Sequence, residues 1–267
     1  MDVTPHLGIG DLLIIKMKEI TNKLDIKNIN INVNLIKQYS DNYEVKLDNC
    51  KKIIDFLFPY CSVSINNGPC NFHIFNDYPL NQVYIYNHIN QNIINIDNKY
   101  SDYIVFHTKC RHDYLIDRFI NEIMEKLNIF LENFNTKKTI LILGERFIGI
   151  NFETQMHKTI SLYENLLVLK KNNNVIDLTY DKLTSGNEDF NNFLFDVEII
   201  NKANCNITFG IGGPFNLCKA FSERNISFIP FYKLSPYVDI LSEMISKNNS
   251  LVENIEEFSE KINYFII

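Results

Sequence analysis

Apolar and polar positions follow two rhythms along the chain. Short runs of β-branched and aromatic residues, the mark of buried strands, alternate with stretches carrying an apolar residue every third or fourth position, the mark of amphipathic helices. That alternation predicts an α/β fold with parallel sheets. In the first half, a strand near Val3–Leu7 leads into a helix over Asp11–Leu24. Further strands are expected at Asn28–Val33, Ser62–Ile65, Val83–Tyr86 and Asp102–His107. Helices are expected at Asp48–Phe58 and Tyr114–Phe134, the second with Ile116, Phe119, Ile120, Ile123, Leu127 and Leu131 on one face.

The same cycle then restarts more regularly. "KKTILILGE" reads as a buried strand, "TQMHKTISLYENLLVLKKN" as a helix and "NVIDLT" as a strand. "NNFLFDVEIINKA" reads as a helix, "CNITFGIGG" as a strand with a glycine turn, "GPFNLCKAFSERN" as a helix and "ISFIPFYK" as a strand. A last helix is expected over Leu251–Ile267, with Val252, Ile255, Phe258, Ile262 and Phe265 at helical spacing. The seam falls near Asn133–Lys138, which gives two Rossmann-like domains, residues 1–135 and 136–250, with the last helix packing back on the first. No fixed-period repeat interrupts this plan.

Composition narrows the function. The chain has 267 residues, 46% of them hydrophobic, enough for one large core or two small ones. A net charge of −6 with no Lys/Arg stripe excludes a nucleic-acid surface, which needs clustered cations; small anionic ligands remain open. The six cysteines form no C-x-x-C pair, and with no leader segment expected they read as free thiols in a reducing, cytoplasmic compartment. No apolar run is long enough to span a membrane. The histidines are scattered, and neither D-x-D nor H-E-x-x-H occurs, so nothing calls for a metal or another cofactor. A P-loop and a G-x-S-x-G elbow are also missing.

Two glycine segments carry the candidate chemistry. In "TPHLGIGDLLIIKM", Gly8 and Gly10 precede Asp11 and an apolar helix. Such a turn brings backbone close to something, and Asp11 stands either as the helix N-cap or as a general base. In "FGIGGPFNLCKAF", Gly210, Gly212 and Gly213 end a strand at its carboxyl edge, where open α/β sheets bind ligands. Pro214 then opens a helix whose free N–H groups suit a diphosphate. A Cβ at Gly213 is expected to fill the ligand's space or forbid the turn. The plainer alternative is a tight strand-to-helix turn with no ligand.

Together these segments resemble the heptosyltransferase-like glycosyltransferases. "HLGIGDLLIIK" is similar to their amino-terminal segment, where a glycine–aspartate pair opens the first helix, and "IGGPFNLCKAF" is similar to a segment of their carboxyl half. The resemblance implies a GT-B-like architecture, two Rossmann-like domains with parallel sheets facing a central cleft. It places Asp11 on the family's catalytic base and Gly213 on its glycine at the donor diphosphate. This chain departs from the family pattern at three positions: Ile211 replaces an acidic residue, Gly212 a small hydroxyl residue and Asn216 a histidine. The partners implied are a nucleotide-sugar donor and a glycan or other hydroxyl acceptor; the oligomeric state is left open.

The reaction also needs positive charge at the departing diphosphate. Lys109 and Arg111 in "HTKCR" and Glu145 and Arg146 in "GER" stand at expected strand ends. Arg146 has a structural ion pair as its alternative, and Lys109 a solvated surface position. Asn151 and Glu153 are candidates for ribose contact or simple capping, and Phe215 and Asn216 extend the diphosphate turn. The expected function is metal-independent, inverting glycosyl transfer. The rivals are a hydrolase or epimerase of the same shape, and a non-catalytic nucleotide- or sugar-binding module.

Overall fold

The computed structural model of the chain describes residues 1–5, 8–34, 43–67, 69, 83–89, 91, 94, 99–113, 120–146, 157–180, 189–234 and 249–266. The first sheet is built from β1 (Asp2–Val3), β2 (Asn28–Asn32) and β3 (Ser62–Asn66), all parallel and in that order. Helices α1 (Ile9–Asn22) and α2 (Tyr43–Leu57) connect them. Val3, Ile29 and Ile31 alternate onto the helix-covered face and are at most 1% exposed. The opposite face carries a ladder of side-chain hydrogen bonds instead, in which Asn28 donates to Ser64 at 3.0 Å and Ser62 to Asn28 at 2.9 Å.

The second sheet holds β4 (Tyr103–Asp113), β5 (Thr139–Glu145), β7 (Val175–Tyr180), β8 (Cys205–Gly210), β9 (Asn225–Phe228) and β10 (Asn249–Val252). They are parallel in the order β10-β9-β8-β4-β5-β7, while β6 (His157–Ser161) pairs antiparallel with the far end of β4. Numbered along the chain without β6, the spatial order is 3-2-1-4-5-6, that of a doubly wound sheet. The chain first winds outward through β5 and β7, then returns beside β4 and winds the other way. Helices accordingly cover both faces. One face meets α3 (Ile120–Asn133), the short α4 (Tyr163–Leu166) and α7 (Ile255–Ile266); the other meets α5 (Phe190–Lys202) and α6 (Gly213–Phe221).

The two sheets are joined through their helices. α1 packs on α6 and α2 on α5, and one apolar cluster runs from Val3 through Leu13, Ile54, Phe193 and Phe221 to Leu143. Phe56 of α2 meets Phe193 of α5 with ring centroids 5.8 Å apart, and Phe193 meets Phe221 of α6 at 6.2 Å.

The α/β class with parallel sheets is as the pattern predicts, but several elements differ. "TQMHKTISLYENLLVLKKN" contains strand β6, α4 and a 3₁₀ turn at Leu167–Lys171. Its β-branched core, "HKTIS", has a place beside β4 that periodicity alone does not reveal. Val83–Tyr86 is no strand: Ile85–His88 forms a 3₁₀ turn. β4 extends to Asp113, beyond the expected His107, and is central to the second sheet. The first sheet thus takes its strands from residues 2–66 and the second from Tyr103 onward. The last helix is shorter than expected because Asn249–Val252 pairs with β9 as an edge strand; α7 then packs on α3 and β9.

Candidate functional site

β4 and β8 lie side by side where the winding reverses, so their carboxyl ends flank the crevice in which doubly wound sheets take ligands. The β4–β8 pairing is irregular there, its register shifting between Phe106 and Cys110. Beyond the shift, Arg111 pairs with Gly210. Gly210 has φ +72°, and a Cβ on it would lie 1.9 Å from the Arg111 carbonyl oxygen. Ile211 N–H donates to that carbonyl at 2.7 Å. Gly212, the N-cap of α6, has φ +113° and ψ −153°, a region essentially reserved for glycine. A Cβ there would meet Arg111 Cδ at 3.2 Å. Arg111 thus builds the turn with its backbone and lines it with its side chain.

Gly213 behaves differently from the expectation placed on it. Among the described residues nothing outside the adjoining backbone lies within 4 Å of a Cβ built there, and its φ is not positive, so the turn does not require glycine at this position. The requirement falls on Gly210 and Gly212. What remains at Gly213 is open space before the first turn of α6, where Pro214 leaves Phe215 to offer an N–H.

The amino-terminal glycine segment meets this turn directly. α1 begins at Ile9 with Gly8 as its N-cap, so Asp11 is not the cap; it is an acidic residue within the first turn, favoured there by the helix dipole. Asp11 is half-buried, and its Oδ2 lies 3.6 Å from the Cβ position of Gly8. A Cβ on Gly10 would stand 2.8 Å from Asn216 Nδ2. The surface that Gly10 lets the backbone approach is therefore the first turns of α6.

The cations divide. Arg146 sits in a polar cluster: its Nε donates to Thr179 Oγ1 at 2.8 Å, its Nη2 lies 3.5 Å from Asp177 Oδ2, and its guanidinium sits 5.4 Å from the Tyr163 ring centre. Partial burial opposes charge on Asp177, but hydrogen bonds from Thr179 and Tyr163 and the Arg146 charge hold its carboxyl below the usual range. Arg146 thus makes an ion pair with Asp177, and Arg111 is the arginine at the glycine turn. Lys109 lies within the β4 irregularity and pairs across to Ser161 of β6. Glu145 ends β5 almost fully buried, with Asp196 of α5 and Tyr180 of β7 as electrostatic neighbours. Burial, and secondarily Glu145, push the Asp196 carboxyl up to about 8. Asn151 and Glu153 lie outside the described residues.

Sequence reasoning passed over a polar layer beneath α6. Cys218 Sγ lies 3.2 Å from His107 Nε2, both wholly buried. Burial lowers the imidazole to about 4 and raises the thiol well above its usual range, so the pair is a neutral hydrogen bond and not a thiolate–imidazolium nucleophile. Lys219 is 0% exposed, its Nζ has no hydrogen-bond partner among the described residues and lies 5.5 Å from the Phe215 ring centre, and burial pushes it down to about 7. Its place on the apolar face of "FNLCKAF", four residues after Phe215, was the available signal. His157, read as helical, is a strand residue opposite Asp113. Among the described residues no helix is long and apolar enough to cross a membrane.

The fold and the glycine turn together define an α/β protein with parallel sheets of Rossmann-like character. Compared with protein-family models, curated proteins and solved structures, the chain matches none.

Proposed function

We propose that the chain is a glycosyltransferase of the GT-B plan, taking a nucleotide-diphosphate-sugar donor at the Gly210–Gly213 turn and a hydroxyl acceptor beside α1. The observation that carries this reading is the meeting of the two glycine turns, Gly10 against Asn216, at the carboxyl edge of the doubly wound sheet. In this reading the α6 N-terminus and Arg111 hold the diphosphate, and Asp11 takes the proton from the acceptor hydroxyl. The acceptor oxygen forms its bond to the anomeric carbon as the bond from that carbon to the diphosphate oxygen breaks, and the electron pair leaves on the nucleoside diphosphate. Phosphate charge is favoured at the α6 N-terminus by the helix dipole and by unsatisfied N–H groups.

One observation favours the reading in which the turn binds a nucleotide without transferring sugar: Arg146, the second cation expected at the leaving group, is held by Asp177 and Thr179. A melting-temperature screen over nucleoside diphosphates and their sugars, followed by product analysis with isotope-labelled donor, separates the readings. Transfer predicts a stabilising ligand and labelled sugar on an acceptor. A binding module predicts the stabilising ligand alone, and no stabilising ligand at all removes both.

A further inference from the structure

A wholly buried cation lies on the helix that the Gly210–Gly213 turn opens. α6 is nine residues long, and Lys219 stands one turn further along it than Phe215. Helical side chains lean toward the amino-terminal end of their helix, and this one does: its Nζ is 5.5 Å from the ring centre of Phe215, a first-turn residue. The amine is thus carried back toward the end of α6 where a side chain on Gly213 would meet open space. Its Nζ has no hydrogen-bond partner among the described residues. α1, α5, β8, β9 and the Ile85–His88 turn pack against α6, and the groups that act on the amine are the thiols of Cys218 and Cys205. Burial raises both thiols far above their ordinary range, so neither supplies a negative charge near neutral pH. The acids of the packing helices are placed otherwise: Asp11 Oδ2 lies beside Gly8, Glu19 pairs with Lys16, Glu198 pairs with Lys202, and Asp196 neighbours Glu145. A buried charge without a counter-charge is costly, so such an amine marks a place where a negative group arrives.

We propose that Lys219 is the counter-charge of an anion bound at the first turn of α6, a positioning residue that acts on the ligand through the helix and not by contact. The proposal rests on the diphosphate reading and adds to it a positive charge behind the turn, where Arg111 lines its front. An anion beside a buried amine favours the protonated form, and the protonated form attracts the anion, so the two are one reciprocal coupling. Burial leaves the amine of the empty chain at about 7, so above that pH it is mostly neutral and takes up a proton as the anion binds.

Titration calorimetry of the full chain with ADP, GDP and UDP, repeated in buffers of different ionisation enthalpy, counts those protons. One unit charge acting across roughly 10 Å of protein is worth about tenfold in affinity. A tenfold coupling moves the amine from about 7 to ~8, which predicts uptake of about half a proton per nucleotide at pH 7.5. At that pH the terminal phosphate has already lost its own proton, so the uptake belongs to the protein. Lys219→Met fills similar space without the amine. It should abolish the uptake and weaken the tightest of the three nucleotides about tenfold at pH 6 but hardly at pH 9, a contrast that a purely structural lysine would not give. Tight binding by the parent without proton uptake overturns this inference and leaves the diphosphate reading standing, whether or not the variant folds. Undiminished uptake in a folded Lys219→Met chain does the same. A parent chain that binds none of the three nucleotides overturns both.

Discussion

Gly10 and Asn216 stand so close that a methyl group on Gly10 would lie 2.8 Å from the Asn216 amide nitrogen. One belongs to the helix that follows the first strand of the chain, the other to the helix that follows the central crossing of the second sheet. Their contact joins segments more than two hundred residues apart in sequence and brings the first turn of α1, which carries Asp11, against α6. The predictions below test what that arrangement does.

Gly210 and Gly213 should differ sharply when changed to alanine. Gly210→Ala drives a methyl into the Arg111 carbonyl and forces an L-residue to hold φ +72°, so the β8–α6 corner must move. Strain alone costs of order 1–3 kcal/mol, and the backbone clash adds to it. Gly213→Ala meets open space and should leave the urea midpoint nearly unchanged. Equal losses in the two variants would contradict the geometry of the turn.

Asp11→Asn keeps size and polarity while removing the base. Transfer should fall by ~10²–10⁴, the usual worth of a general base. Nucleoside-diphosphate affinity should stay within a few-fold of the parent, because the Gly210–Gly213 turn is built by Arg111, Gly210 and Gly212. Normal turnover in a folded Asp11→Asn chain removes Asp11 from the mechanism and leaves it a first-turn acid.

The two arginines should respond oppositely. Arg146→Lys disturbs the Asp177–Thr179–Tyr163 cluster, a partly exposed one, so only a small stability loss and no change in nucleotide affinity are expected. Arg111→Lys leaves a point charge in place of a forked donor at the glycine turn and should weaken nucleotide binding. Calorimetry on both variants reads the contrast; a larger affinity loss at Arg146 would reverse the assignment.

Lys219 predicts a pH signature. Its folded value, about 7, is below the ordinary 10.5, so the unfolded chain binds more protons between those limits. The contribution of this residue to stability therefore rises with pH from about 7 upward, and below about 7 the buried amine is at its most destabilising. Lys219→Met should flatten that slope and raise the melting temperature at neutral pH. A parent and a variant whose stabilities run parallel from pH 7 to 9 would show that the ammonium is solvated.

Much of this fold was legible because each β/α unit leaves a local mark. "TILILGE" and "CNITFG" are apolar runs of strand length, and "NNFLFDVEIINKA" has helical spacing with Asp189 just before it as cap. What depends on distant partners was not legible. β6 exists because β4 outruns β5 and exposes an edge, and β10 because β9 would otherwise be an edge itself. The glycines were visible as candidates, but which of them the turn requires depends on Arg111, a hundred residues away. Likewise nothing local ties Arg146 to Asp177 or Gly10 to Asn216; these pairings follow from sheet order.

The central claim is that the Gly210–Gly213 turn holds the diphosphate of a nucleotide, and titration calorimetry of the parent and Gly213→Val against nucleoside diphosphates tests it most directly. Among the described residues nothing outside the adjoining backbone lies within 4 Å of the added Cβ position, so the fold should accept the valine and only a ligand at the turn should feel it. The account predicts saturable binding by the parent and its loss in a Gly213→Val chain of unchanged melting temperature. Equal binding by both chains, or none by the parent, would contradict it.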